Sequence, residues 1–207
     1  PRYAPTVVAD KTTALFAVGA INAALYHREV SGEGQAIEVP MFEAMVSFLA
    51  IEHLGGRSFA PPLGPSGYSR ALSPHRRPYR TADGFIAVMP YTGAHWRAFF
   101  RAAGRDDWAD EPALGEAAAR AAMIDILYER LADCLTARRT AEWVAVLEEA
   151  DVPCSTINSF ENLLDHPHLK ATGFFETVEH PSEGRLVGTR PPVRFSKTPC
   201  SIDKQAP

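Results

Sequence analysis

Few side chains in this sequence have both the type and the position that chemistry needs. Asp10 precedes an alanine-rich segment with helical spacing. A carboxylate there can accept from backbone N–H groups one turn on, as a helix N-cap does. Favoured by the positive end of the helix dipole, it can instead serve as a covalent nucleophile. Spacing alone favours the cap. The basic run Arg70, His75, Arg76, Arg77 and Arg80 could face phosphates, though such runs are more often solvated surface. His166, His168 and His180 lack metal-site spacing on one rigid element and read as loop residues. Cys134, Cys154 and Cys200 are far apart and form no C-x-x-C pair. That argues against a disulfide framework and a zinc site, and fits a reducing compartment.

The elements that must position these groups follow from periodicity. Leu15, Val18, Ile21 and Leu25 form an apolar stripe that predicts a helix over 11–30, ended by Ser31-Gly32-Glu33-Gly34. Ala36-Ile37-Glu38-Val39 alternates like a short strand. Pro40 then suits the first turn of a second helix, running to Leu54, whose apolar character nearly all round predicts burial. Residues 55–78 are rich in proline and glycine and read as a linker. A hairpin follows, with strands near 78–81 and 85–89 and Asp83-Gly84 at its turn. From 93 to 150 the pattern is helical, in three pieces. These are marked by Trp96, Phe99 and Phe100, then by Ile124, Leu127, Tyr128 and Leu131, then by Trp143, Val146 and Leu147 behind a Thr140 cap. Beyond Pro153 the sequence predicts short extended pieces, turns and one small helix at 159–164, framed by Asn158 and Glu161 as a capping box.

The totals set outer limits. The chain has 207 residues, 46% hydrophobic and 22% charged, with a net charge of −4. This is the composition of an ordinary globular protein, with enough residues for a sizeable core and no basic footprint for nucleic acid. No apolar run approaches the ~20 residues of a spanning helix. The chain opens Pro1-Arg2-Tyr3 without a methionine, as a fragment would.

The order of segments carries a family likeness. Ala9-Asp10-Lys11 leads into a helix ending Ala23-Ala24-Leu25-Tyr26-His27-Arg28. Gly32-Glu33-Gly34-Gln35 and Val39-Pro40-Met41-Phe42-Glu43 follow. The series resembles family III coenzyme A transferases, the relatives of formyl-CoA and carnitine CoA-transferases. Later segments are similar to that family too: Tyr79-Arg80-Thr81-Ala82-Asp83-Gly84, Trp96-Arg97-Ala98-Phe99-Phe100, Thr140-Ala141-Glu142-Trp143 and Asp165-His166-Pro167-His168-Leu169.

The resemblance implies an α/β fold. Residues 1–54 would be a segment of a doubly wound large domain bearing the active-site helix. Residues 55–78 would be a linker, 79–155 a smaller α+β domain, and 156–207 a linker starting the return to the large domain. The implied reaction moves coenzyme A from an acyl-CoA donor to a carboxylic acid acceptor through a covalent intermediate on Asp10. Met41 aligns with a methionine that touches CoA in the family, although a core methionine at a helix start is an equal reading. Gly32 and Gly34 are read as structural. Gly64-Pro65-Ser66-Gly67-Tyr68 falls where some members carry a mobile glycine-rich loop, but prolines interrupt it and a plain linker fits better.

No metal or resident cofactor is implied, since the CoA thioester is a substrate. The implied partners are acyl-CoA and a small carboxylic acid, with neither nucleic acid nor membrane, in a cytoplasmic interlocked homodimer. The chain covers about half of a typical member, so this fragment alone is expected to be inactive. Two rivals remain. An acyl-CoA racemase of the same fold would need an acid after the hairpin strand, where Val88-Met89-Pro90-Tyr91-Thr92 offers none. An inactive truncated member is the other.

Overall fold

The computed structural model describes residues 4–202. It is a mixed α/β chain in two compact units, Pro1–Arg76 with Ala118–Glu129, and Arg77–Ala117 with Arg130–Pro207.

In the first unit, α1 (Val8–Ser31) packs against α2 (Met41–His53). Gly32 ends α1 in the left-handed region at φ 78°, its N–H donating to the Arg28 carbonyl. This is the glycine stop the sequence predicts. The strand expected over 36–39 does not form: residues 33–40 have no regular structure. All strands among the described residues belong to the second unit, so this segment has no neighbour with which to build a ladder. The burial expected for the second helix also fails. Phe42 is 77% exposed and Ile51 88%, and on α1 Leu15 is 75% exposed. Two helices in mutual contact cover one face of each, and no sheet in this unit covers the rest.

The Pro/Gly-rich stretch after α2 closes on itself. Gly56 N–H donates to the Pro65 carbonyl, Leu63 N–H to Gly56, and Gly67 N–H to His53. Gly56 and Gly64 meet backbone to backbone: a Cβ at Gly56 would stand 2.5 Å from Gly64 Cα, so only glycine fits. A short helix, α3 (Ser69–Leu72), follows. Arg70 Nε then donates to the Tyr128 hydroxyl at 3.3 Å, and Ser73 Oγ to Asp125 at 2.5 Å. His75 lies 3.2 Å from Glu129.

The second unit opens with the predicted hairpin, β1 (Tyr79–Arg80) and β2 (Phe85–Val88), and β3 (Cys154–Thr156) adds antiparallel to β2. Helices α4 (Gly93–Ala102), α5 (Asp106–Ala109) and α8 (Thr140–Glu149) belong to this unit; α6 (Ala117–Ala122) falls in the first unit but for its first residue, and α7 (Ile124–Leu135) is divided between the two. The core is aromatic. Trp96, Phe99 and Phe100 of α4 are fully buried, and Phe99 stacks on Trp143 of α8 at 6.0 Å. Trp143 donates its indole N–H to the Leu135 carbonyl at 2.8 Å, so its polar edge is satisfied where it is buried.

Thr140 opens α8 but does not cap it. Its N–H and hydroxyl both donate to Asp83 Oδ1, at 2.7 and 3.0 Å, from the turn of the hairpin. Arg139 Nε donates to the other oxygen at 3.0 Å. Asp83 was legible as a turn residue, whereas its reach to a helix 57 positions away was not. Led by the Thr140 N–H bond, these donors hold the Asp83 carboxyl at about 2.

Beyond Pro153 the chain is more ordered than predicted. α9 (Phe160–Leu164) is capped by Ser159, which accepts from Asn162 N–H, and not by Asn158. His168, expected in a loop, lies in α10 (Pro167–Thr172). β4 (Phe175–His180) and β5 (Gly184–Thr189) form a regular antiparallel hairpin. Cys134 and Cys154 are half-buried, and burial pushes both thiols up.

Trp143→Ala should lower the unfolding free energy by about 3–5 kcal/mol in urea titration, the cost of emptying a packed indole site; a loss below ~1 kcal/mol would show the aromatic cluster is peripheral. The Asp83 carboxyl is lower in the folded than in the unfolded chain, so its stabilisation is present above an ordinary 3.8 and lost as pH falls toward 2. Asp83→Asn should therefore flatten stability against pH across that window, and an unchanged slope would remove the clamp from the account.

Candidate active site

The site residues read from the sequence, Asp10 and Met41, both fall in the first unit, at the starts of its two long helices. Asp10 is the third residue of α1 and lies in its first turn. The N-cap is Val7, and no side-chain cap bond is made there. The bland role open to Asp10, capping the helix it precedes, is therefore not the one its position allows: it lies inside the helix. Its side chain is exposed and has no hydrogen bond or ion pair to a described residue.

The surrounding turn is fixed by its neighbours. Thr12 is buried, at 8% exposure, and turns the opposite side of the helix inward. Thr13 Oγ1 donates back to the Ala9 carbonyl at 2.8 Å. Lys11, adjacent in sequence, donates to the Thr6 hydroxyl at 2.8 Å. The carboxylate is thus presented to solvent from a rigid helical turn, close to the unpaired N–H groups and the positive dipole end. A group so placed can attack an electrophile brought to it, and α1 would hold its backbone still while it does.

Met41 is the first residue of α2, behind Pro40 in extended conformation, and is 46% exposed. Ala44, one turn on, is the buried residue of that helix. Gly34, unlike Gly32, has no positive φ. Within the Gly64–Tyr68 stretch, Gly67 has φ 114° and bonds to the end of α2, so this part of the chain is anchored to that helix. Among the described residues no cluster of three or more His, Cys, Asp or Glu side chains could hold a metal. No helix among them is long and apolar enough to cross a membrane.

Sequence reasoning missed one concave feature, a groove in the second unit of about 740 Å³. It is formed by α10, Phe174 and residues 190–200, and Arg190 and Arg194 face it. The only signal in the sequence was Arg190-Pro-Pro-Val-Arg194-Phe195, where two guanidiniums flank a stiff proline pair.

Comparison with known proteins places this geometry in context. The family model for CoA-transferase family III matches residues 1–207. The succinate–glutarate CoA-transferase of Agrobacterium fabrum is 27% identical over 214 residues, covering 100% of this chain and 52% of that protein. The succinyl-CoA:glutarate CoA-transferase of Homo sapiens is 27% identical, covering 96% of this chain and 45% of that protein. A CAIB/BAIF family protein from Brucella suis has a similar fold, with a TM-score of 0.70 at 23% identity over 100% of this chain and 53% of its own. The chain spans about half the length of the curated relatives it matches.

Because Asp10 caps nothing, removing its carboxylate should cost little stability. Asp10→Ala and Asp10→Asn should each change the unfolding free energy by no more than about 1 kcal/mol, the size of a dipole contribution alone. A loss above ~2 kcal/mol in urea titration of either variant would return Asp10 to a structural role.

Proposed function

The chain belongs to CoA-transferase family III, and from that premise we propose that the protein moves coenzyme A from an acyl-CoA donor to a carboxylic acid acceptor, with Asp10 as the covalent carrier. The observation that carries this reading is the position of Asp10, exposed in the first turn of α1 without a capping bond. Relatives named as CoA-transferases that acidic substrates distinguish, succinate and glutarate among them, support the substrate classes.

The chemistry balances without a resident cofactor or metal. A carboxylate oxygen of Asp10 attacks the thioester carbonyl, the C–S bond breaks, and CoA leaves as thiolate from an aspartyl mixed anhydride. The thiolate attacks the aspartyl carbonyl and expels the donor carboxylate, leaving an aspartyl-CoA thioester. The acceptor carboxylate attacks that thioester and releases the thiolate again. Thiolate attack on the acceptor carbonyl then forms the new acyl-CoA and frees Asp10. Each step exchanges one anion for another, so no net proton is needed. Splitting the exchange this way replaces one difficult displacement by easier ones.

Met41, at the start of α2, is proposed to contact the bound CoA. The exposed apolar faces of α1 and α2 support an assembly in which other protein surface covers them, in keeping with an interlocked homodimer acting in the cytoplasm. By itself the 207-residue chain is proposed to be inactive, because it spans about half of its active relatives.

In the protein of full family length, Asp10→Asn should retain the fold and lower CoA transfer at least about 10³-fold, on the scale of losing a covalent nucleophile. Wild-type enzyme treated with an acyl-CoA and then hydroxylamine should carry a hydroxamate on the Asp10 peptide, seen by mass spectrometry. Transfer by Asp10→Asn at the wild-type rate would exclude the covalent route. Exchange of the α-proton of a branched acyl-CoA by that variant would put an isomerase in its place.

A further inference from the structure

We propose that the groove of the second unit binds a small organic monoanion, a carboxylate carried on an apolar body. Its volume of about 740 Å³ is in the range of small-molecule sites. The charged side chains of its lining are Arg190 and Arg194, and no Asp or Glu is among the lining residues. The two guanidiniums are not equivalent. Arg190 Nε lies 3.2 Å from Glu176, so its charge is already balanced. Arg194 donates one long bond, 3.4 Å, to the Thr172 carbonyl and meets no carboxylate among the described residues.

That bond uses one N–H of the Arg194 guanidinium, and the rest of its donor fork meets no acceptor among the described residues. A planar fork of N–H groups matches a carboxylate with two parallel bonds. Among the described residues Arg194 is the one lining cation without a carboxylate partner, and a single such cation favours a monocarboxylate over a nucleotide or a multiply charged phosphate.

The remaining wall is apolar, with Leu169, Phe174, Val193 and Phe195 beside prolines. Its α10 side is tied by backbone bonds. Phe174 N–H donates to the Leu169 carbonyl and Arg190 N–H to the Phe174 carbonyl, both at 2.9 Å. Gly173 turns the chain between them at φ 60°. Phe174 and Phe175 meet edge-on at 5.3 Å. Pro191, Pro192 and Pro199 stiffen the facing segment, which lowers the ordering cost of binding.

The test is titration of the ¹⁵N-labelled 207-residue chain with sodium hexanoate and, separately, with 1-hexanol, followed by amide chemical shifts. Hexanoate should give saturable shifts centred on Leu169, Thr172, Phe174 and Val193, and bind at least tenfold tighter than hexanol. Arg194→Gln should weaken hexanoate at least tenfold and leave hexanol unchanged, whereas Arg185→Gln, which removes a cation paired with Glu179 outside the groove, should change neither. Retained amide dispersion shows that each variant is folded. If Arg194→Gln does not fold, Ala171→Trp, which fills the groove from an exposed position, should abolish the hexanoate shifts. Equal affinity for hexanoate and hexanol, wild-type hexanoate affinity in Arg194→Gln or Ala171→Trp, or shifts centred on the open faces of α1 and α2 would each overturn the assignment.

Discussion

The second unit depends on a two-point hold on α8. Trp143 anchors the helix from within, buried against Phe99 and bonded through its indole N–H to the carbonyl of Leu135. Asp83 anchors its first turn from outside, taking the Thr140 N–H and hydroxyl on one oxygen and Arg139 on the other. Neither hold suffices alone. A stacked indole fixes depth but lets a helix slide or rotate, while a bonded terminus fixes an end but supplies little burial. Together they set the position of α8, and with it β3, which follows the helix and completes the sheet on β2. Thr81 closes the arrangement, its hydroxyl 2.7 Å from that of Thr140 and accepting from Gly84 N–H.

The first unit is organised on a different principle. α1 and α2 have the apolar content of interior helices, yet little of it is covered within the unit. Exposed apolar surface of this extent is characteristic of interaction sites. The same openness leaves Asp10 in solvent at the end of a long, well-terminated helix. A carboxylate used as a nucleophile needs that combination: access from one side, and a backbone that does not move. The glycine stop at Gly32 and the Gly56–Gly64 contact keep the ends of the two helices defined without adding side chains near them.

Local features were legible in the chain's residues alone. The 3.6-residue spacing of Leu15, Val18, Ile21 and Leu25, the glycine after Ser31, the proline before Met41, the Asp-Gly turn and the aromatic spacing of Trp96, Phe99 and Phe100 each act within a few residues. The corresponding helices, turn and core appear accordingly. The ordered motif from Ala9 to Glu43 likewise sufficed to point to the family that the whole chain matches. Tertiary structure alone decided the rest. Whether Ala36–Val39 became a strand depended on a neighbouring strand that its own unit does not supply. Whether the stripe of α1 was buried depended on what lies over it. Asp83 gained its partner from a helix 57 residues away, and Arg194 its place in a groove from the path of the chain around Phe174. Periodicity says which face is apolar and which residue can bond, but burial and partnership are properties of pairs of segments, and no one segment encodes its partner.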